Sequence, residues 1–338
     1  MRNMEKLTIS DIAALAKVST ATVSNYLNGN FNKMSIKTRR HLEEIISQTN
    51  YRPNSTARDL AKNESKTIGV SIADITNPFT SAVLSGISDF CSQYGYKVVF
   101  TNADQDPETE VNNIIRLRSE NVAGFILDPV SPNGPIYKAF SNKSSVMVDL
   151  QAKQLKMDTI VTDNEKSVFE MTQKMLAKKY DDLYFVSWPL KDVSTRLQRY
   201  QGFLRATNYK NDDSHLLIVP HHGKQEEYIA FNNQVKSIIE NKGNKKVGFF
   251  TMNGRVFLRL LQAAQQYGFA YPTDYGVATY EEFDWMKILN PGISCIQQDS
   301  RKIGERAAEL LNGKLTGTSS SDPKVTIIPT KLVIRESF

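Results

Sequence analysis

The chain has 338 residues, 40% of them hydrophobic and 23% charged, and a formal net charge of +6; this length allows a small module plus one or two sizeable α/β domains. No stretch approaches the roughly 18 consecutive apolar residues of a membrane span, and the opening MRNMEKLTIS lacks the apolar run of a secretory signal. The two cysteines, Cys91 and Cys295, stand far apart without metal-like spacing and read as buried thiols in a reducing cytoplasm.

The first predicted element starts at Thr8, whose hydroxyl can cap the amide of Asp11 while the Asp11 carboxylate favours the positive helix end. Ile12, Ala13 and Ala16 then form one apolar stripe. Val18 and Ser19 close a turn, and Ser19 caps a second helix in which Val23 and Leu27 point inward. Thr20, Ala21, Ser24 and Asn25 are left facing out, small and polar enough to approach base edges and phosphates. A third amphipathic segment runs from a capping Ser35 through Thr38, Leu42, Ile45 and Ile46. Residues 1–66 hold 11 lysines and arginines against 6 aspartates and glutamates, so +5 of the total +6 falls in the first fifth of the chain. That is the footprint of a phosphate-binding headpiece. A generic helical hairpin with a solvated basic face has the same local pattern.

From Thr67 the pattern changes to short apolar runs alternating with helical periods. Predicted strands are Thr67–Ala73, Lys97–Thr101, Gly124–Leu127, Val146–Val148, Leu183–Val186, Leu216–Val219, Val247–Phe250 and Tyr275–Ala278. A helix over Thr80–Tyr94 places Val83, Ile87, Phe90, Cys91 and Tyr94 on one face. The alternation predicts two similar subdomains, each a parallel sheet with helices on both faces. Ligands of such sheets bind beyond the carboxyl ends of the strands. The loops there carry Asp74 to Phe79, Asp104, Asp128, Asp149, Asp163, Trp188, Asn253 and Glu281. Asn77 suits a helix cap, Pro78 its first turn, and Phe79 a stacking contact with a ligand. Arg196, Arg199 and Arg205 mark one basic side of a helix after Ser194. Taken singly, most of these residues also fit ordinary caps, turns and solvated faces.

Thr8 to Asn28, the run YRPNSTARDL from Tyr51 to Leu60, and TIGVSIADITNPF together resemble the lactose-repressor (LacI/GalR) family of bacterial transcription factors. The likeness spans essentially the whole chain. It implies a helix-turn-helix headpiece over 1–50, a hinge helix and linker over 51–66, and a core over 67–338. That core is periplasmic-binding-protein-like, with two parallel-sheet subdomains and chain crossings near 166, 297 and 327. Such a protein works as a homodimer or tetramer on double-stranded operator DNA. The resemblance implies DNA contacts from Thr8, Ser19, Thr20, Ala21, Thr22, Ser24, Asn25, Asn28, Tyr51 and Asn54, with Leu60 wedging into the minor groove beside Ala57. It implies effector contacts from Asn77, Phe79, Asp149, Arg199, Asn253 and Glu281, the effector being a sugar, sugar acid or sugar phosphate. NYLNGNFNKMS and EFDWMKILNPGISCIQQD are further similar to repressors of sugar-acid catabolism that answer 2-keto-3-deoxygluconate, and an inducer that releases DNA is expected.

The sequence departs from the family pattern at three positions. Lys17 replaces the usual turn glycine, at a cost of about 1 kcal/mol if the backbone there is left-handed. Asn25 replaces a frequent arginine, which predicts relaxed guanine dependence because asparagine pairs well with adenine. Glu281 stands in TYEEFDW where an aspartate is usual, and one extra methylene displaces a carboxylate by about 1 Å. His221 and His222 read as a solvated loop pair. Two rival classes are an α/β enzyme carrying an accessory headpiece and a cytoplasmic sugar-binding protein. No phosphate-loop, dinucleotide, nucleophile-elbow or His-rich metal motif is present, so no cofactor, metal or catalytic residue is expected.

Overall fold

The structure, a computed structural model, describes residues 7–51, 65–191, 193–221, 223–320 and 322–338. The chain divides into two units, Met1–Ser65 and Lys66–Phe338.

In the first unit, Thr8 caps helix α1 (Ile9–Ala16) reciprocally: its hydroxyl accepts from the Asp11 amide at 3.3 Å, and the Asp11 carboxylate takes the Thr8 amide at 2.7 Å. The helix stops at Lys17, which adopts a left-handed φ of 51°. Ser19 then caps α2 (Thr20–Leu27), accepting from the Thr22 amide at 3.1 Å. A 3-10 turn at Phe31–Lys33 leads to α3 (Ile36–Thr49), capped by Ser35. The three helices bury Ile12, Ala13, Ala16, Val23 and Leu42, and Leu27, Ile45, Ile46 and Tyr51 pack around them. The Arg39 guanidinium lies 3.8 Å from the centroid of the Phe31 ring, joining the 3-10 turn to α3.

The second unit contains two six-stranded sheets. The first holds β1 (Thr67–Ile72), β2 (Lys97–Asn102), β3 (Gly124–Leu127), β4 (Ser145–Val148), β5 (Asp158–Thr162) and β11 (Val325–Ile328), in the order β11-β5-β4-β3-β1-β2. The second holds β6 (Asp182–Ser187), β7 (Leu216–Ile218), β8 (Val247–Thr251), β9 (Gly276–Tyr280), β10 (Ser294–Gln297) and β12 (Lys331–Val333), in the order β12-β10-β9-β8-β6-β7. Neighbouring strands are parallel except β12, which runs antiparallel to β10. This is the α/β architecture expected from the alternation of strand and helix, with six strands on each side.

Helices α4 (Pro78–Gln93) and α5 (Pro107–Ser119) follow β1 and β2, and α6 (Asn164–Ala177) carries the chain from β5 into the second sheet. There α7 (Ser194–Thr207), α8 (Gln225–Glu240) and α9 (Gly254–Gln266) alternate with the strands. After β10 the chain returns through α10 (Ser300–Leu315), which packs against α4 and the first sheet. That packing is close: a methyl at Gly86 would collide with the Arg301 carbonyl, and one at Gly304 with the Val83 carbonyl.

The first sheet buries aliphatic side chains such as Ile68, Val70, Ile126, Val146 and Ile160. The second is richer in aromatics, burying Phe185, Phe203, Phe249, Phe250, Phe257 and Tyr280. Both cysteines are buried, and burial pushes the Cys91 thiol up to about 11 and that of Cys295 to about 12. Among the described residues, no helix is long and apolar enough to cross a membrane.

Candidate functional site

On the first unit, one side of α2 remains open. Thr20 and Ala21 are exposed, and Thr22, Ser24 and Asn25 are half-exposed. The Ser19, Thr22 and Ser24 hydroxyls have local partners. Ser19 Oγ lies 2.9 Å from Thr22 Oγ1, and Asn28 Nδ2 donates to the Ser24 carbonyl at 2.8 Å, folding the Asn28 side chain back onto its own helix. Thr8 is exposed and engaged in its capping box. Tyr51 packs against the headpiece core, where burial raises the pKa of its phenol above the ordinary value. Asn54, Ala57 and Leu60 lie outside the described residues.

On the second unit, a cleft opens between the two sheets, and its lining comes from strand ends. Asn77 and Phe79 follow β1, Asp128 follows β3, Asp149 follows β4, Trp188 follows β6, Asn253 follows β8 and Glu281 follows β9. All sit beyond carboxyl ends, where parallel sheets leave their loops free to bind. The cleft therefore brings together all six residues singled out in the sequence as effector contacts: Asn77, Phe79, Asp149, Arg199, Asn253 and Glu281. Asn77 and Asn253 are also caps: Asn77 accepts from the Phe79 amide at 3.1 Å, and Asn253 from the Val256 amide at 2.9 Å.

Arg199, buried on α7, anchors the floor. Its Nε donates to Asn164 Oδ1 at 2.8 Å and its Nη1 to the Met252 carbonyl at 2.8 Å, and its guanidinium stacks 3.5 Å from the centroid of the Tyr280 ring. Glu281 is buried against it, accepting from the Gly254 amide at 3.2 Å and from Gln298 Nε2 at 3.4 Å. Burial pushes the Glu281 carboxyl up to about 7, although the Arg199 charge and the Gly254 amide act against this. Asp128 is pushed well above the carboxylate range by burial and then by the neighbouring Asp149. Burial also raises Asp149, with Arg199 and Arg196 opposing. Asp149 and Glu281 both hold left-handed backbones, at φ of 65° and 76°. Non-glycine residues held in such sparsely populated regions gather at ligand clamps, at a cost on the order of 1–3 kcal/mol each.

The walls of the cleft are tied by Arg255, whose Nη1 reaches Asp74 Oδ2 and whose Nη2 reaches Thr76 Oγ1, each at 2.5 Å, and by Ser194 Oγ, which accepts from the Gln151 amide at 2.8 Å. Burial works against the charge of Asp74, but Thr76 and Arg255 outweigh it and hold the carboxyl below its ordinary value.

Several residues named in the loops play other parts. Asp163 accepts from the Thr330 amide at 2.9 Å where the chain crosses between sheets. Arg205 leaves the cleft altogether, pairing with Glu165 at 2.6 Å on an exposed face. His221 is not simply solvated, since its ring centroid lies 4.4 Å from that of Trp188; His222 is outside the described residues. Arg196 and Asp128, which the sequence places on the basic helix side and among the strand-end loops but not among the effector contacts, also line the cleft. The available signal for Arg196 was its spacing of three residues from Arg199, which puts both on one helix face.

Comparison with known proteins fits both units. Residues 8–54 match the model of bacterial regulatory proteins, lacI family, and residues 172–338 match a periplasmic binding protein-like domain. The chain is similar to the HTH-type transcriptional regulator KdgR of Bacillus subtilis, at 30% identity covering 98% of this chain and 97% of that protein. It is 32% identical to the HTH-type transcriptional regulator PtxS of Pseudomonas putida, covering 98% of this chain and 96% of that one. Among solved structures, the Lac repressor dimer bound to operator and the anti-inducer ONPF superposes with a TM-score of 0.81 at 20% identity, covering 98% of this chain and 99% of that one. A capped helix-turn-helix headpiece, a two-sheet core with its cleft at the strand ends, and whole-length relatives that regulate transcription place the chain in the lacI family of bacterial transcription regulators.

Proposed function

We propose that this regulator represses a carbohydrate or sugar-acid catabolic operon as a homodimer, and that a small sugar acid entering the cleft releases it from its operator. In this reading Asn77, Phe79, Asp149, Arg199, Asn253 and Glu281 hold the effector. Thr8, Ser19, Thr20, Ala21, Thr22, Ser24, Asn25, Asn28 and Tyr51 position the headpiece on DNA, and Asn54, Ala57 and Leu60 act from the hinge. The observation that carries it is the convergence of these six core residues, drawn from separate strand ends and α7, on one cleft with a buried arginine at its floor. Arginine suits an acid because its planar fork matches a carboxylate.

A gel shift on the upstream region of neighbouring catabolic genes tests the reading. The complex should form with steeply salt-dependent affinity, as phosphate contacts require, and should dissociate when the matching sugar acid is added. A complex indifferent to every sugar, sugar acid and sugar phosphate contradicts it. Turnover of any of these compounds would favour the enzyme alternative. At the reading helix, Asn25→Arg should restore a guanine preference at one operator step, worth about 1–3 kcal/mol of discrimination; an operator titration with unchanged base preference contradicts that assignment.

A further inference from the structure

We propose that Arg196 is a specificity-determining residue that gives the cleft its preference for an acid, binding the carboxylate of the effector while Arg199, braced by the protein, offers its remaining donors to the effector's other oxygen atoms. The inference rests on the cleft being the effector site. Two arginines on one helix face, Arg196 and Arg199, differ in their surroundings. Arg199 is bonded through Nε to Asn164 and through Nη1 to the Met252 carbonyl, and its flat face is covered by Tyr280. Its fork is largely occupied by the fold.

Arg196 is placed differently. It is half-buried in the lining of the same cleft, with its guanidinium 5.4 Å from the centroid of the Trp188 ring and Nη1 donating to the Pro189 carbonyl at 2.6 Å. The ring and the carbonyl fix the plane of the group, so little rotamer freedom remains to be lost when a ligand arrives. Burial, together with the like charge of Arg199, lowers its proton affinity to about 10, with Asp149 acting in the other direction. A guanidinium that is desolvated beside another cation gains more from an added anion than a solvated one does. Asp128, Asp149 and Glu281 share the cleft, and whichever of them is ionised opposes a dianion more than a monoanion, which favours a carboxylate over a phosphate.

The test is calorimetric titration of the full chain with matched probes: 2-keto-3-deoxygluconate, gluconate, 6-phosphogluconate and the neutral polyol sorbitol. Wild type should bind one of the two unphosphorylated acids more tightly than sorbitol by about 10-fold or more, that is about 1.4 kcal/mol. Arg196→Met keeps the length of the aliphatic stem and removes the guanidinium that stands over Trp188 and donates to the Pro189 carbonyl. It should weaken acid binding by about 10-fold while changing sorbitol affinity by less than about 2-fold, and Arg196→Lys, which restores the charge without the planar fork, should recover part of the acid affinity. Equal losses for acid and polyol would reduce Arg196 to a brace for the Pro189 turn and overturn the proposal. Wild type that binds acid and polyol alike would also overturn it, leaving a ligand-controlled regulator intact. Tightest binding of 6-phosphogluconate would replace the carboxylate with a phosphate. A panel in which nothing binds contradicts both this inference and the sugar-acid reading on which it rests.

Discussion

Glu281 bears two costs at once, a left-handed backbone and a buried carboxyl. Its folded value of about 7 lies above the ordinary 4.5, so folding favours the protonated form. The associated stability is fully present below the unfolded value and is lost as pH rises through the folded one, a change of about 3 kcal/mol. Urea denaturation at pH 5 and pH 8 should show wild type losing about this much more than Glu281→Gln over the interval; parallel losses in the two proteins contradict the assignment. Lys17 offers a second residue-scale check, since its φ of 51° realises the strain expected from the absence of the family glycine. Lys17→Gly should relieve about 1–2 kcal/mol of strain and return part of it as unfolded-state entropy, a net gain of about 0.5 kcal/mol. Slower hydrogen exchange in the amides of α1 and α2 would register the gain, and unchanged or faster exchange would contradict it. Caps were legible in the sequence because Thr8, Ser19 and Ser35 act on amides three residues away. Arg196 and Arg205 were not distinguishable, because both are long cations on one helix and only tertiary packing sends one to the cleft and the other to Glu165.

At the scale of elements, eight strands were legible because each is an apolar run standing between helical periods. Four were not. β5 is DTIVT and β10 is SCIQ, both bounded by polar side chains, while β11 and β12 are separated only by Pro329 and Thr330 and read as one run. These are the strands beside the crossings between sheets, where chain direction is set by long-range pairing rather than by local pattern. The helix that carries Arg196 and Arg199 illustrates how packing fixes a site. A methyl at Gly202 would collide with the Glu165 carbonyl, so α7 and α6 approach at backbone distance there. Gly202→Ala should force the helices apart, destabilise the core by about 1–3 kcal/mol and weaken effector binding through displacement of the arginines. Thermal unfolding with calorimetry checks both, and a variant as stable and as tight-binding as wild type contradicts the account.

For the whole molecule, the division into a basic headpiece and a two-sheet core was legible from charge placement and from the change of periodicity at Thr67. The hinge expected over 51–66 rests on family resemblance alone, since Asn54 to Ala61 has little apolar pattern of its own, and residues 52–64 lie outside the described ones. The account requires that cleft and operator communicate, and linkage makes that requirement symmetrical: whatever factor the effector applies to operator affinity, the operator must apply to effector affinity. The most direct test is calorimetric titration of the full chain with the proposed sugar-acid effector, performed with saturating operator duplex and again with none. The account predicts that operator weakens effector binding by the same factor, about 5–150-fold, by which effector weakens operator binding. An effector affinity that is the same with and without operator would contradict it.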